Sequence, residues 1–356
     1  MSRSTASLFT SFSFKGLTLP NRIVMAPMTR SKSPDRVPGA NVAAYYKRRA
    51  EGGVGLVISE GTYVPHPSAG FDAAVPDFGG EQALAGWRRV VTEVHAAGGK
   101  FAPQLWHVGM KTSGKEPAPG VRPMGPMNMS LEDIRVTVEA YGIAAKAAKE
   151  MGCDALEIHA AHGYLIDQFF WEGNNQRTDA YGGSMQARSK FAVDVLNEIR
   201  RNVGVDFPVI LRFSQWKIPE FTAKLAHSPE ELERFLRPLV AAGVDVFHCS
   251  QRRFWEPEFE GSHLNLAGWT KKITGLPAIT VGSVTLNEEF MTTFGRDEKS
   301  DVTGLDELLE RLERGEFDLV AIGRALIANP DWPAQVRSQG VEHLRPFHRG
   351  LLQELV

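Results

Sequence analysis

The densest chemistry in this 356-residue chain is the run His159-Ala160-Ala161-His162-Gly163-Tyr164. Two imidazoles three residues apart can be metal ligands. A zinc site needs a third protein ligand, however, and the glutamate of the H-E-x-x-H pattern is absent. Asp167 is the nearest further candidate. The two histidines can also be buried structural hydrogen-bonders. A third reading makes them paired N–H donors to one oxygen that becomes an enolate, where losing one donor typically costs about 3–4 kcal/mol. Neutral imidazole still carries one N–H, so neither ring has to be protonated for this. Tyr164, with a phenol pKa of about 10 in water, would keep its proton at neutral pH and could act as general acid.

Other polar residues stand where a core would not place them. Thr29, Gln104, His159 and Arg212 each close or nearly close a short apolar run. One such residue could simply cap a loop; four on different strands resemble a ligand site built from several strand ends. Two further runs end in Gly282-Ser283 and Gly323-Arg324. Glycines there let backbone N–H groups approach an anion, and Arg324 adds a permanently charged bidentate donor, so these two ends are read as a phosphate site. The plainer alternative is that the glycines only make tight turns. No G-x-G-x-x-G and no G-K-[ST] is present, which argues against a Rossmann site or a P-loop.

The elements that must position these residues are eight β-branched, apolar runs. They are Ile23–Thr29, Leu56–Gly61, Phe101–Trp106, Ala155–Ala160, Val209–Ser214, Val244–Ser250, Ala278–Ser283 and Leu319–Arg324. Helical patterns lie between them at Ala40–Glu51, Gln82–Ala97, Leu131–Met151, Gln186–Asn202, Pro229–Ala242 and Leu305–Arg314. Leu232, Phe235, Leu236, Leu239 and Val240 form a one-face stripe. Ser228 followed by Glu231 reads as a capping box. Strands alternating with helices pair in parallel through right-handed crossovers. Eight units predict an α/β chain folded as a closed (β/α)8 TIM barrel, one domain over residues 1–356; a doubly wound open sheet uses the same alternation. The longer irregular stretches, His107–Met129, Ala161–Ser184, Gln251–Gly268 and Val284–Val302, all follow strands. In a barrel they open on the C-terminal face, where active sites form.

Composition bounds the partners. A formal charge of −2 gives no electrostatic reason to expect nucleic acid or an anionic membrane, and no apolar stretch reaches the roughly 18 residues of a spanning helix. The two cysteines, Cys153 and Cys249, are far apart, which excludes a cysteine-held iron–sulfur cluster or a four-cysteine zinc site and fits a reducing cytoplasm. The expectation is a cytoplasmic globular protein without metal.

At the histidine motif the chain resembles the old yellow enzyme family of FMN-dependent NAD(P)H ene-reductases. The likeness runs through Leu19–Arg30, Ser59–Thr62, Gln104–Gly109, Glu157–Phe170, Asn175–Ser184, Leu211–Ser214, Thr280–Ser283 and Ile322–Trp332, nearly the whole chain in order. H-x-x-H-G-Y-L followed by R-T-D-x-Y-G-G-S is its specific part. The resemblance implies that Pro27, Met28, Thr29 and Gly61 line the flavin ring. It implies that Gln104 and Arg212 bond the pyrimidine edge, and that Gly282, Ser283, Gly323 and Arg324 hold the phosphate. His159 and His162 would clamp the substrate oxygen over the flavin, His159 touching both cofactor and substrate. In the implied ping-pong mechanism a nicotinamide reduces flavin N5 and leaves. N5 then returns hydride to the β-carbon of an activated alkene, and Tyr164 protonates the α-carbon. The partners would be NADH or NADPH and a small enone, enal, maleimide or nitroalkene, in a monomer or homodimer.

The chain also departs from the family pattern. Thr29 stands where one branch has Cys, and no Tyr follows Tyr181, although classical members carry C-terminal aromatics near the substrate. The roof of the pocket is therefore open. Trp106 is a candidate wall or, equally, core packing; Phe254 and Trp255 are weaker roof candidates, and Met110 and Lys111 could also face the site. A different FMN barrel oxidoreductase of the dienoyl-CoA or trimethylamine type would carry a cluster and extra domains. A dihydroorotate-dehydrogenase-like barrel has no role for H-x-x-H-G-Y. An FMN-binding redox sensor or carrier needs no proton donor such as Tyr164.

Overall fold

The computed structural model describes residues 3–290, 292 and 299–356. Eight parallel strands close into a barrel. They are β1 (Ile23–Met25), β2 (Leu56–Tyr63), β3 (Lys100–Trp106), β4 (Leu156–His162), β5 (Val209–Lys217), β6 (Val246–Ser250), β7 (Ala278–Val281) and β8 (Leu319–Ile322). They neighbour one another in chain order, and β8 pairs back onto β1. The main outer helices are α1 (Ala40–Glu51), α2 (Glu81–Ala96), α3 (Leu131–Met151), α4 (Lys190–Val203), α5 (Pro229–Ala241), α6 (Leu266–Thr274), α7 (Asp306–Glu313) and α8 (Trp332–Gln339). The closed barrel is the expected fold, and the open-sheet alternative falls. Among the described residues no helix is long and apolar enough to cross a membrane, and no cluster of metal-ligating side chains occurs.

Side chains alternate along a strand, so each strand sends every second residue into the barrel. The lower interior is apolar: Val24, Leu56, Ile58, Ala102, Ala155, Ile210, Val246, Ile279 and Leu319 belong to one buried cluster. A hairpin, Phe12–Phe14 with Leu17–Leu19, contributes Phe14, Leu17 and Leu19 to it. Continuing the alternation upward, Ala102 is followed by Gln104, Ala155 by Glu157 and His159, Ile210 by Arg212, and Val246 by His248 and Ser250. Register aligns Gln104 with Glu157 and Arg212 with both His159 and His248. The barrel thus changes from apolar to polar towards its C-terminal mouth.

Several boundaries differ from the sequence reading for physical reasons. Ala26 N donates to Ile322 O at 2.9 Å, after which Pro27 has no N–H to continue the ladder, so β1 stops before Thr29. Strands β2, β4 and β5 run two or three residues further than read, and β5 is buried along its whole length. The stretch read as one helix from Gln186 divides into Met185–Arg188 and α4, where Ser189 Oγ donates back to Met185 O. Two of these eight outer helices were not expected. Asn265 caps α6 inside a stretch read as loop, and Pro330 and Pro333 disguised α8, although proline is compatible with a first helical turn. Ser228 Oγ does accept from Glu231 N, but the Glu231 carboxylate reaches His227 N rather than closing the box. A reciprocal box occurs instead at Ser130 and Asp133, opening α3. Within the expected loop Val284–Val302, residues 291 and 293–298 lie outside the described residues.

Trp87 fastens α2 to the barrel. Its ring is fully buried against Tyr46, Phe78 and Phe101, and its Nε1 donates to Asp77 O at 2.9 Å. Trp87→Ala is expected to lose about 3–5 kcal/mol of unfolding free energy. Urea denaturation followed by circular dichroism measures it, and an unchanged midpoint would mean that the ring does not anchor the helix.

Candidate active site

The polar strand ends surround one cavity of about 370 Å3 at the C-terminal mouth of the barrel, within the range of small-ligand pockets. Its wall includes Pro27, Met28, Thr29, Gln104, Trp106, His159, His162, Tyr164, Arg212, Gly282, Ser283, Gly323 and Arg324. Of the cofactor and substrate residues picked from sequence only Gly61 is absent from the lining. A Cβ there would come within 2.6 Å of the Trp106 ring, so Gly61 makes room for that ring.

At the base of the cavity Gln104 Nε2 donates to Glu157 Oε1 at 2.7 Å, and His248 Nδ1 lies 2.6 Å from Glu157 Oε2. Glu157 therefore turns the Gln104 amide so that its carbonyl oxygen is left to accept from a ligand. Arg212 is buried, and burial pulls its guanidinium below its usual pKa while the nearby Glu157 opposes that. Its Nη2 donates to Ser250 Oγ at 3.3 Å, and its Nε is buried with no partner. A buried guanidinium N–H without an acceptor is costly unless a ligand supplies one.

Across the cavity, Ser283 Oγ donates to Glu288 O at 3.0 Å, and Arg324 Nη2 donates to the same carbonyl at 2.6 Å. A Cβ on Gly282, at φ +137°, would meet Gln251 O at 2.7 Å, so only glycine allows the two backbones to come this close. The site thus has an acceptor and a guanidinium at one place, and a hydroxyl, a second guanidinium and glycine backbone at another. That donor set fits a heterocycle with a donor–acceptor edge and a phosphate tail, as FMN has.

The motif His159–Tyr164 rises from the end of β4. Burial and then the Arg212 charge hold both imidazoles well below their usual pKa, so both are neutral near pH 7. Their ring centroids are 5.2 Å apart and nearly perpendicular. Tyr164 packs edge-on against His159 at 4.9 Å and Trp106 at 4.8 Å, and burial raises its phenol pKa. Trp106 also stacks on His159, which makes it a cavity wall as well as packing.

The turn that carries these groups is tightly held. His162 has φ +63°, its N donates to Ser214 Oγ, and its O accepts from Lys111 Nζ at 2.9 Å. Gly163 N donates to Asp167 Oδ2 at 2.6 Å, and Asp167 Oδ1 accepts from Lys217 Nζ at 2.6 Å. Both partners of that ion pair are buried. Asp167 thus belongs to an ion pair rather than a metal set. Burial pushes its carboxyl up, and Lys217 opposes this.

The roof candidates resolve differently from the sequence reading. Phe254, Trp255, Met110 and Lys111 are absent from the lining. Phe254 instead braces the glycine turn after β7, its N donating to Gly282 O. Trp216, Ile218, Phe290, Ile327 and Leu352 line the cavity and were not anticipated. Trp216 stacks on His162 at 4.5 Å and packs against Phe290 at 5.5 Å. The C-terminal segment reaches the site through Leu352, tied down by Arg30 Nη2, which donates to Leu352 O and Glu354 O.

Comparison with known proteins places this geometry. The family model for NADH:flavin oxidoreductases / NADH oxidases matches residues 7–342. An NADH oxidase of Thermoanaerobacter brockii is 32% identical over 359 residues, covering 95% of this chain but 52% of that protein, so the chain spans about half its length. The 12-oxophytodienoate reductase 2 of Arabidopsis thaliana is 31% identical, covering 93% of this chain and 88% of that protein. Among solved structures, morphinone reductase in complex with tetrahydroNAD superposes with TM-score 0.77 at 30% identity, covering 97% and 94% of the two chains. The old yellow enzyme homologue from Zymomonas mobilis has TM-score 0.77 at 25% identity, covering 97% and 96%.

Two outcomes follow from the electrostatics. Lys217→Met strands the Asp167 carboxyl and is expected to lose about 3–5 kcal/mol by chemical denaturation, with at least half regained in Lys217→Met/Asp167→Leu. No loss in the single variant would show that the pair does not hold the turn. Glu60 Oε2 accepts from Arg30 N and Ser31 N beside the cavity, and burial pushes its carboxyl up to about 7. A raised carboxyl favours the folded state below the unfolded pKa of about 4.3, and that contribution is lost as pH rises through the folded value. The thermal midpoint of wild type relative to Glu60→Gln should therefore fall between pH 5 and pH 8; a rise would contradict the assignment.

Proposed function

Since the chain belongs to the NADH:flavin oxidoreductase / NADH oxidase family, the FMN-dependent family of old yellow enzyme, we propose that it reduces the activated C=C bond of α,β-unsaturated carbonyl or nitro compounds with NADH or NADPH. The observation that carries the proposal is the convergence of two neutral imidazoles and a protonated phenol on a cavity whose base exposes Arg212 and the Gln104 carbonyl. FMN, when bound, would supply the hydride chemistry between nicotinamide and alkene.

The chain's own residues bind, orient and protonate. Gln104 Oε1 would accept from the pyrimidine edge of the flavin, and Arg212 would set positive charge beside that edge. Pro27, Met28 and Thr29 form the adjoining wall, and Gly282, Ser283, Gly323 and Arg324 would hold the phosphate. His159 and His162 donate to the carbonyl or nitro oxygen of the substrate, so electron density withdrawn from the alkene collects where two N–H groups receive it. Neutral rings suit this role, since an imidazolium would lose its proton to the enolate that it should only stabilise. Tyr164 holds its proton at neutral pH and delivers it to the α-carbon. Trp106 stacks on His159 and Trp216 on His162, which holds the two imidazole planes in place.

Tyr164→Phe separates these roles. Reduction of bound flavin by NAD(P)H should remain within about threefold of wild type, whereas reoxidation by an enone should slow by about 10²–10⁴, the range of a positioned general acid. Stopped-flow absorbance resolves the two half-reactions, and equal slowing of both would make Tyr164 structural.

A further inference from the structure

The reading of His162 as an oxygen clamp leaves open which of its nitrogens carries the proton, and the surroundings of the ring decide it. His162 Nε2 lies 2.7 Å from Ser250 Oγ, at the end of the neighbouring strand but one. The same Ser250 Oγ accepts from Arg212 Nη2 at 3.3 Å. A guanidinium has no acceptor capacity, so the Arg212–Ser250 contact can run in one direction only. It occupies one lone pair of the hydroxyl and leaves the Ser250 proton to find an acceptor. Among the described residues His162 Nε2 is the atom placed to accept it.

Neutral imidazole is a donor at one nitrogen and an acceptor at the other, and the partner of one fixes the proton on the other. An Nε2 that accepts from Ser250 therefore puts the proton on Nδ1. Nδ1 has no protein partner among the described residues, and His162 lines the cavity. The Ser250 backbone is itself fixed, because its carbonyl accepts from Trp216 Nε1 at 3.2 Å while the Trp216 ring stacks on His162. Strand pairing with Ser214 sets its height, and Ser214 Oγ accepts from His162 N at 3.0 Å.

We propose that Ser250 is a positioning residue that relays the donor polarity of Arg212 into His162, locking His162 in the Nδ1–H tautomer and so presenting an N–H to the substrate oxygen. This deepens the reading of the histidine pair as a clamp and rests on it. A consequence is that the cation beside the flavin edge and the donor above the substrate share one oriented hydrogen-bond chain, Arg212 to Ser250 to His162 to substrate. Hydrogen bonds in such a chain polarise one another, so each strengthens the next.

The test uses the full-length, FMN-loaded protein labelled with ¹⁵N-histidine, with His162→Gln to assign the signal. In wild type the ring should show a protonated Nδ1 and an unprotonated Nε2. Ser250→Ala should shift both nitrogens towards the opposite or averaged pattern, and Ser250→Thr, which keeps the hydroxyl, should restore the wild-type pattern. Phenol, added as probe, should bind about tenfold more weakly to Ser250→Ala, the loss of one hydrogen bond's contribution, and within about twofold of wild type to Ser250→Thr. A protonated Nε2 in wild type overturns the proposal, and that measurement needs no variant to fold. Unchanged ring shifts and phenol affinity in Ser250→Ala overturn it equally. Wild type with the Nδ1–H tautomer but no phenol binding would instead overturn the clamp and leave the relay supported.

Discussion

A guanidinium buried in the mouth of the barrel sets the terms for everything around it. Arg212 projects from β5 into a space that its neighbours only partly satisfy: Ser250 receives one N–H, Glu157 offers charge, and Nε has no partner. Burying a cation on such terms is costly in an empty protein, and the deficit has the shape of a ligand that brings acceptors to that edge. The same charge, second only to burial, keeps His159 and His162 neutral. Gln104, held by Glu157, adds an oriented acceptor at the same level. The proposed cofactor edge and the neutrality of the two imidazoles are in this sense one electrostatic arrangement.

Precision in that arrangement comes from the strands and not from the loops. Each reacting side chain stands on a strand end or on the turn directly after it. The turn at His162–Tyr164 is over-determined by Ser214, Lys111 and the Asp167–Lys217 pair. Backbone at positive φ in a non-glycine residue, as at His162, persists only when its surroundings hold it there. The remaining walls of the cavity have mixed origins: Trp216 stands on β5 with Arg212, while Phe290 and Leu352 come from segments beyond the barrel strands.

This division also explains what the sequence could convey. Eight apolar runs and their polar ends were legible because period-two alternation and strand-terminal polar residues are local signals. His159, His162, Tyr164, Gln104 and Arg212 could be read as one site from those signals and a family resemblance. Trp216 was missed because β5 runs three residues past the apparent stop at Ser214, through Gln215 and Lys217, whose polarity hides burial achieved by Ala226 and Asp167 as partners. Ser250 looked like an ordinary strand end, since its meaning lies in two contacts with residues 38 and 88 positions away. Leu352 had no periodic pattern to mark it; contacts of Arg30, Arg48 and Arg49 with the C-terminal backbone hold its segment against the barrel. Gly61, read as cofactor lining, lies outside the cavity wall, and its small size makes room for the Trp106 ring.

In the proposed reaction hydride and proton reach the two alkene carbons from different sources, the proton through Tyr164. Turnover of a cyclic enone with unlabelled NADH or NADPH in D2O, with the product analysed by NMR and mass spectrometry, tests it most directly. A saturated ketone carrying solvent deuterium at the α-carbon and protium at the β-carbon is expected. Deuterium at the β-carbon, or no saturated product from FMN-loaded protein, would contradict it.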